Sequence, residues 1–326
     1  MSAVLILSHD DVIAALSPEA CADAMAEVLA AHARGDAKMP LRSVVGFEGA
    51  AGFMGLMPAW RGGEEPVFAL KSLCLMPGNP AIGLDTHQGT VTLFDGGTGV
   101  PTAILDASAV TAVRTAAVSA VATRTLARED ARVLAILGAG VQGRAHLTAL
   151  AGVREFDEVR VYSPTEAHAR AVAAAGDGRA RVVGSAEAAV RGADVVVTAT
   201  NAREPVLRRD WLEPGAHVNA VGASQPSVRE LDVETVAECA LFCDSRESLH
   251  NEAGEYLLAV EEGAISGENH VRGELGEVLA GSAPGRLDAD ELTVFRSLGL
   301  AVEDLAAAQC AVTRARRMRI GTEVEL

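Results

Sequence analysis

Residues 131–143 read ARVLAILGAGVQG, and the interpretation of the whole chain starts from this stretch. Its first half contains the continuous apolar run VLAIL, which is typical of a strand buried on both faces of a parallel sheet. The run ends in GAGVQG, a G-x-G-x-x-G pattern at residues 138–143, and good helix formers follow it at 144–150. A strand, a glycine loop and a helix in this order predict a dinucleotide-binding turn.

Each glycine of this glycine loop (residues 138–143) has a distinct structural role in such a turn. Gly138 permits the tight turn, Gly140 lets the backbone approach a diphosphate, and Gly143 lets the helix pack close to the strand. The diphosphate would then lie at the N-terminus of the helix that follows. The alternative is a glycine-rich turn that binds nothing, but the flanking strand and helix favour the dinucleotide site.

Strand-like and helix-like segments alternate after the glycine loop. The strands are VRVYS, RVVG, DVVVTAT, HVNAVG and ALFCD, and helical segments TEAHARAVAAA and AEAAVRG separate the first three. This alternation predicts a Rossmann-type, doubly wound parallel sheet. From Ser245 onward we expect helices, the last of which, at 302–318, is long enough to pack back on the first part of the chain.

The chain before the glycine loop has a different pattern. Residues 8–34 are predicted to be helical, with Ser8 or Asp10 as the first cap and Ser17-Pro18 starting a second helix. Between residues 38 and 106, short strand-like runs separated by Gly and Pro predict a mainly antiparallel sheet, with a hairpin turn at 95–99. Residues 109–126 are predicted to form one long helix that leads into the dinucleotide-binding part.

The composition limits the class of protein. The chain has 326 residues, 49% of them hydrophobic, which suits about two domains with a sizeable core. No apolar run approaches the roughly 20 residues that cross a bilayer, and the N-terminal segment lacks the features of a signal peptide, so we expect a cytoplasmic protein without membrane contact. A net charge of −16 argues against nucleic-acid binding. The five cysteines have no metal-ligand spacing, so we expect free thiols and no metal.

Three basic residues lie in apolar or tight surroundings. Lys71 lies within the strand FALKSLCLM, Arg42 precedes a Val-Val pair, and Arg114 lies in the helical segment AVRTAAVSA. Taken singly, each could be a snorkelling side chain or a partner in a structural salt bridge. Together, beside a dinucleotide site, they could form a receptor for a carboxylate. His87 also lies in a polar loop between strands, but a structural role is the simpler interpretation for it.

The residues about 20 positions after the glycine loop bear on the choice of cofactor. NAD-specific folds place an Asp or Glu there to bind the ribose hydroxyls, whereas this chain has Ser163-Pro164-Thr165. Because no acid repels a 2′-phosphate and the two hydroxyls could donate to it, we favour NADP(H), with NAD(H) as the alternative. Ser163 could instead only cap the following helix.

Longer stretches of the chain resemble one protein family. They are residues 71–126, the glycine loop, VNAVGASQPSVRELD, NEAGEYL, ELGEVLAG and DELTVFRSLGLAVEDLAAA, which occur in the order found in the ornithine cyclodeaminase and mu-crystallin family. The resemblance extends from about Arg42 to Ala308. Its most specific motifs are R-T-A-A at residues 114–117 and F-x-S-x-G at 295–299.

The resemblance implies a homodimer whose sheet domains pair, and a cleft between two domains that holds nicotinamide against a small amino or imino acid. It implies an α+β substrate-binding and dimerisation domain (1–118 with 305–326) and a dinucleotide-binding domain (119–304). It also implies that Arg42, Lys71 and Arg114 bind the substrate carboxylate. The cofactor-contacting positions that it implies are Thr86, Thr115, Gly140, Val141, Gln142, Thr200, Val221 and Ser297, with Ser163 in place of the acid that binds the adenosine ribose.

Two departures from the family's cyclodeaminases indicate a different activity. Ser224 stands where cyclodeaminases carry a catalytic aspartate, and Gly55 stands where we expect a glutamate. Both substitutions resemble mu-crystallin, whose relatives are ketimine reductases. A cyclodeaminase must deprotonate an ammonium group and therefore needs a carboxylate base, whereas a reductase of a protonated imine does not.

The sequence therefore leads to the hypothesis of an NAD(P)H-dependent reductase of cyclic 2-imino acids. Arg42, Lys71 and Arg114 would hold the carboxylate, Lys71 and Arg114 would take part in catalysis, and Ser224 would orient the imine nitrogen. The alternatives are an ornithine cyclodeaminase or an alanine dehydrogenase of the same family, or a non-enzymatic protein that binds NADP(H) or another small ligand. Retention of all three cations and of the glycine loop argues against the non-enzymatic alternative.

Overall fold

The computed structural model describes residues 3–222 and 224–325. The chain divides into two compact units, Met1–Arg114 with Gly299–Leu326, and Thr115–Leu298. Each unit has a sheet of its own, one mainly antiparallel and one parallel, so the predicted fold class is confirmed. Among the described helices, none combines the length and the apolar character that a membrane crossing requires.

The elements have the following bounds. The strands are β1 (Ala3–Leu7), β2 (Ala37–Lys38), β3 (Ser43–Gly46), β4 (Phe53–Arg61), β5 (Val67–Leu75), β6 (His87–Asp95), β7 (Pro101–Asp106), β8 (Val133–Leu137), β9 (Glu158–Tyr162), β10 (Ala180–Val182), β11 (Val195–Thr198), β12 (His217–Ala220), β13 (Ala240–Cys243), β14 (Val271–Glu274), β15 (Thr293–Arg296) and β16 (Thr322–Glu325). The helices are α1 (His9–Ala15), α2 (Pro18–Ala33), α3 (Ala107–Leu126), α4 (Val141–Ala151), α5 (Glu166–Ala174), α6 (Ala186–Val190), α7 (Val233–Glu238), α8 (Arg246–Glu252), α9 (Gly254–Glu261), α10 (Leu275–Leu279) and α11 (Ala301–Met318).

The sheet of the first unit has the order β16-β1-β7-β6-β5-β4-β2, with β3 also paired to β4. Its pairs are antiparallel except β1–β7, which is parallel. Alternate residues of the long strands face opposite sides of the sheet. The side that carries Met57, Lys71 and Val91 is buried, and α11 packs on β4, β5 and β6, as predicted for the last helix.

Local signals fix the boundaries of several elements in the first unit. Ser8 and Ser17 cap α1 and α2 through their side chains, which confirms the predicted start of a second helix at Pro18. The predicted hairpin turn is also confirmed, because Asp95 Oδ1 accepts from the backbone N of Gly97 and Thr98 between β6 and β7.

The sheet of the second unit has the order β10-β9-β8-β11-β12-β15-β13-β14, and all its pairs are parallel. Leu134 and Ile136 of β8 belong to the core on one face, whereas Ala135 and Leu137 belong to the core on the other. The prediction of a strand buried on both faces is therefore confirmed, as is the doubly wound sheet.

The expectation of an entirely helical segment after Ser245 is wrong. β14 and β15 belong to the parallel sheet, and β15 lies between β12 and β13 in its centre. β1 and β16, at the two ends of the chain, were not predicted either. The pairing partners of β1, β15 and β16 lie far away in the sequence, so a local pattern does not show that these segments join a sheet.

Candidate active site

The three glycines of the glycine loop differ in how much space surrounds them in the second unit. Gly138 has φ +114°, and a Cβ there would lie 2.3 Å from Ala199 O. A Cβ on Gly143 would lie 2.1 Å from Gly138 O. Gly140, by contrast, has φ −85°, and a Cβ there would meet no atom within 4 Å. Packing therefore requires two of the glycines, while the third leaves open space at the N-terminus of α4, where a phosphate would fit.

Other residues predicted to contact the cofactor follow strands of the same parallel sheet. Ser163 follows β9, Thr200 follows β11, Val221 follows β12 and Ser297 follows β15. Because the strands are parallel, these positions lie at one edge of the sheet, the edge at which doubly wound folds bind dinucleotides. The buried Ser297 Oγ has no hydrogen-bond partner in the described part of the chain. This polar atom and the open space at Gly140 fit a bound dinucleotide.

The remaining predicted cofactor positions have partners or surroundings of their own. Ser163 Oγ accepts a hydrogen bond from Thr165 N at 3.3 Å, so Ser163 also orders the start of α5, as the alternative interpretation proposed. Thr115 is buried in α3. Thr86 lies in the first unit, where its Oγ1 is 3.1 Å from His87 Nδ1. Val141 is exposed and Gln142 is half-buried in the first turn of α4.

Lys71 and Arg114 are joined by two buried acids in the first unit. Lys71, 2% exposed, places Nζ 2.7 Å from Asp304 Oδ2. Arg114, 5% exposed, donates from Nε to Asp304 Oδ1 at 3.0 Å and from Nη1 to Glu303 Oε2 at 2.8 Å. Both acids lie in the first turn of α11. Asp304 thus bridges the two cations.

Gly299 contacts both Arg42 and Arg114. Arg42 Nη2 donates to Gly299 O at 2.8 Å. A Cβ on Gly299 would lie 2.7 Å from both Nη1 and Nη2 of Arg114, and its φ is +80°, so glycine is needed for packing and for backbone conformation alike. The structure therefore brings together the three predicted cations, called here the cation cluster (Arg42, Lys71 and Arg114).

Burial and mutual repulsion shape the charges of this region. Burial, the largest effect, lowers the pKa of Lys71 to about 8, with Arg114 and Arg42 adding to the decrease and Asp304 opposing it. Burial acts to raise the pKa of Asp304, but Lys71 and Arg114 outweigh it and hold that pKa below its usual value. The pKa of His87 is lowered by burial and by the cation cluster, so its ring is neutral at neutral pH.

Glu303 and Asp304, called here the anchoring acids, were not predicted from the sequence. Two adjacent acids inside the apolar segment LAVEDLAAA were the available signal, because carboxylates are rarely buried without cationic partners. Both interpretations of the basic residues hold in part. Lys71 and Arg114 form salt bridges, and they also converge with Arg42.

Ser224 and Gly55 occupy different units. Ser224 is half-buried, four residues beyond the end of β12 in the second unit. Gly55 lies in β4 on the same face as Met57, which pairs with Lys71. A Cβ on Gly55 would lie 3.5 Å from Leu73 Cδ1, an ordinary contact, so packing does not by itself exclude a side chain there.

Histidines and cysteines do not gather into a metal site within the described residues. His146 Nε2 lies 2.8 Å from Ser119 Oγ, and His217 Nδ1 lies 2.9 Å from Thr293 Oγ1. Burial lowers the pKa of His146 to about 4 and that of His217 to about 3, so both are neutral members of the core of the second unit.

Comparison with known proteins gives a consistent result. The model of the ornithine cyclodeaminase/mu-crystallin family matches residues 3–318. The chain is 42% identical over 275 residues to the ketimine reductase mu-crystallin of Mus musculus, covering 84% of each chain. It is 35% identical over 323 residues to the alanine dehydrogenase of Archaeoglobus fulgidus, covering 98% of each chain. Among solved structures it is similar to Δ1-pyrroline-2-carboxylate reductase of Thermococcus litoralis in complex with NADH and L-proline, with a TM-score of 0.93, 35% identity, and coverage of 98% of this chain and 100% of that one. This chain belongs to the ornithine cyclodeaminase/mu-crystallin family.

Proposed function

We propose that the chain is an oxidoreductase that uses NAD(P)H to reduce cyclic 2-imino acids. Its substrates would be Δ1-pyrroline-2-carboxylate or Δ1-piperideine-2-carboxylate, and its products L-proline or L-pipecolate. The observation that carries this proposal is that Lys71 and Arg114 are buried on the anchoring acids, while Arg42 binds the adjacent Gly299 O. The ketimine reductase among its relatives, and the similarity to a reductase solved with NADH and L-proline, support the substrate class.

The cation cluster is proposed to bind the substrate carboxylate. The anchoring acids hold Lys71 and Arg114 through buried salt bridges. Because the acids hold Lys71 and Arg114 in fixed positions, little reorganisation is required when the substrate binds.

The second unit is proposed to hold the dinucleotide at the glycine loop and at the strand ends that carry Ser163, Thr200, Val221 and Ser297. When bound, the dinucleotide supplies the hydride that reduces the C=N carbon. We favour NADP(H) over NAD(H), because Ser163 and Thr165 leave no acid after β9 to repel a 2′-phosphate. The proposed domains are 1–118 with 305–326 for substrate and 119–304 for the dinucleotide.

Ser224 and Gly55 favour imine reduction over cyclodeamination. An imine already protonated on nitrogen needs only a hydride to become an amine, so no residue has to remove a proton from the substrate. Ser224 is proposed to orient the imine nitrogen through its hydroxyl. Gly55 adds no carboxylate to the face of the sheet that carries Lys71.

We also propose that the chain is a cytoplasmic homodimer that pairs through the first unit. The face of the sheet opposite Lys71 carries a cross-strand row of Trp60, Phe68 and Phe94, and Phe68 is 46% exposed. Val45 and Met54, which pair across β3 and β4 on the same face, add further exposed apolar surface. An apolar sheet face of this kind suits pairing with a second copy.

The test is a set of parallel assays on the purified chain. Oxidation of NADPH, and separately of NADH, is followed by absorbance with Δ1-pyrroline-2-carboxylate. Ornithine with NAD⁺ is assayed for ammonia release, and pyruvate with ammonia and NADH for alanine formation. Rapid oxidation of the reduced cofactor by the imine alone supports the proposal. Ammonia from ornithine would instead identify a cyclodeaminase. Absence of turnover in all assays would favour the alternative of a non-enzymatic protein that binds NADP(H) or another small ligand.

A further inference from the structure

Glu230 is a fully buried carboxylate in the second unit, and each of its oxygens accepts two hydrogen bonds. Oε1 accepts from Thr200 N at 2.6 Å and from Thr200 Oγ1 at 2.7 Å. Oε2 accepts from Thr198 Oγ1 at 2.7 Å and from Gly222 N at 2.7 Å. All four acceptor positions of the carboxylate are therefore filled by groups from the ends of β11 and β12.

The atoms around the Glu230 carboxylate leave no space for a side chain at Gly222. A Cβ on Gly222 would lie 1.9 Å from Thr200 O and 2.5 Å from Glu230 Oε1. Thr200 also packs on the glycine loop, because a Cβ on Gly138 would lie 3.1 Å from Thr200 Cγ2. Glu230 thus fixes two strand-end segments, and one of them touches the first glycine of the loop.

The charge of Glu230 is not needed for an ion pair within the described residues, because its contacts are hydroxyls and backbone N–H groups. A buried carboxylate without a cation is costly compared with an apolar side chain of similar size. The backbone N–H groups of Thr200 and Gly222, however, lie on different segments and both need an acceptor between them. A carboxylate can serve both at once, which an amide cannot.

The sheet order indicates which part of the dinucleotide these segments face. The order of strands reverses between β8 and β11, and doubly wound folds bind one mononucleotide half on each side of that point. Ser163, the proposed adenosine-ribose position, follows β9 on one side. The β11 and β12 ends lie on the other side, which corresponds to the nicotinamide half.

We propose that Glu230 is a positioning residue for the nicotinamide half of the dinucleotide, acting through the segments at Thr200 and Gly222. The inference rests on the proposed dinucleotide binding and adds a residue to it. The carboxylate does not touch the ligand. It holds the backbone that the nicotinamide half contacts.

The test is Glu230→Gln, with ligand affinity as the readout. Whichever way the amide is turned, its NH₂ faces either Thr200 N or Gly222 N, so one buried N–H group loses its acceptor. Dissociation constants are measured by titration for NADPH and NADH, and for ADP-ribose and its 2′-phosphate, which lack nicotinamide. We expect affinity for the reduced dinucleotide to fall about tenfold or more, while affinity for the matching ADP-ribose changes less than about twofold.

Two further variants guard against a general loss of structure. Thr198→Val removes one of the four donors and should give a smaller loss of the same kind. Glu204→Gln changes an exposed acid that pairs with Arg229 and should change neither affinity. A parallel loss for both ligands in Glu230→Gln, or no loss for either, would overturn the inference. Failure of the wild-type chain to bind any of the ligands would overturn the proposed function, and the inference with it.

Discussion

Asp304→Asn is expected to change the pH range in which the chain binds a carboxylate substrate. Burial, the largest effect, lowers the pKa of Lys71 to about 8, and Asp304 is the group that opposes this decrease. Asparagine has the same size as aspartate and keeps one acceptor oxygen, but it lacks the negative charge. Without that charge, burial and the neighbouring Arg114 and Arg42 should lower the pKa of Lys71 further.

The magnitude follows from the contact distance. Lys71 Nζ and Asp304 Oδ2 are 2.7 Å apart. With the two charge centres taken as about 4 Å apart and an effective dielectric constant of about 20, the attraction is about 4 kcal/mol, and Arg114 reduces it because it shares the charge of Asp304. Since one pKa unit corresponds to about 1.4 kcal/mol, the pKa of Lys71 should fall by about one to three units.

The sign of the effect on binding is set by the form that binds the carboxylate. The protonated Lys71 is the form expected to bind it, so the wild-type KM should change little below about pH 8 and rise about tenfold per pH unit above it. In Asp304→Asn the same rise should begin at a lower pH. At neutral pH the variant should therefore have a KM up to about a hundredfold higher than the wild type.

The assay is the KM for Δ1-pyrroline-2-carboxylate measured on both sides of pH 8. Because the imine titrates as well, the inhibition constant of pyrrole-2-carboxylate, which has no imine nitrogen, is measured in parallel. Glu303→Gln is the matched comparison, since Glu303 pairs with Arg114, whereas Asp304 pairs with both Lys71 and Arg114. A higher inhibition constant at all pH values, with an unchanged midpoint in Asp304→Asn, would show that Lys71 is not the titrating cation.

Four further results are expected. Lys71→Met should raise KM and lower kcat together, and an unchanged kcat/KM would remove Lys71 from the site. Gly140→Ala should weaken dinucleotide affinity about tenfold without changing Tm, because its Cβ meets only open space, whereas Gly138→Ala should lower Tm by several degrees; equal melting temperatures would contradict this difference. Ser163→Asp should lower kcat/KM for NADPH at least about tenfold while sparing NADH, and a parallel loss for both would refute the role of this position. Phe68→Lys should shift the chain from dimer to monomer in sedimentation without loss of helix content, and an unchanged mass would exclude this sheet face as the interface.

Much of the fold could be predicted because its signals are local. The run VLAIL and the glycine loop together span only eleven residues. The serine caps of α1 and α2 accept hydrogen bonds from backbone N–H groups three residues ahead. The parallel sheet followed from alternating segments, each long enough to show its type. β14 and β15 could not be predicted in the same way, because VRGE and TVFR contain charged residues and take their places in the sheet only through distant neighbours.

The candidate site could be predicted only in part for the same reason. Arg42, Lys71 and Arg114 stood out because cations are unusual in apolar segments, and the structure brings them together. Their partners could not be identified, because Arg114 and Asp304 are 190 residues apart in the chain. Glu230 gave no signal at all, since an acid in the polar segment SVRELD looks like a surface residue.

Asp304 and Glu230 point to a principle that both units share. Each is a buried carboxylate that holds groups from separate segments at one point, Lys71 and Arg114 in one case and Thr200 and Gly222 in the other. Well-packed apolar residues could stabilise either core as well or better, so stability alone does not explain these acids. Fixed donors at a ligand site do explain them, because a binding group that is already in place loses less entropy when the ligand arrives.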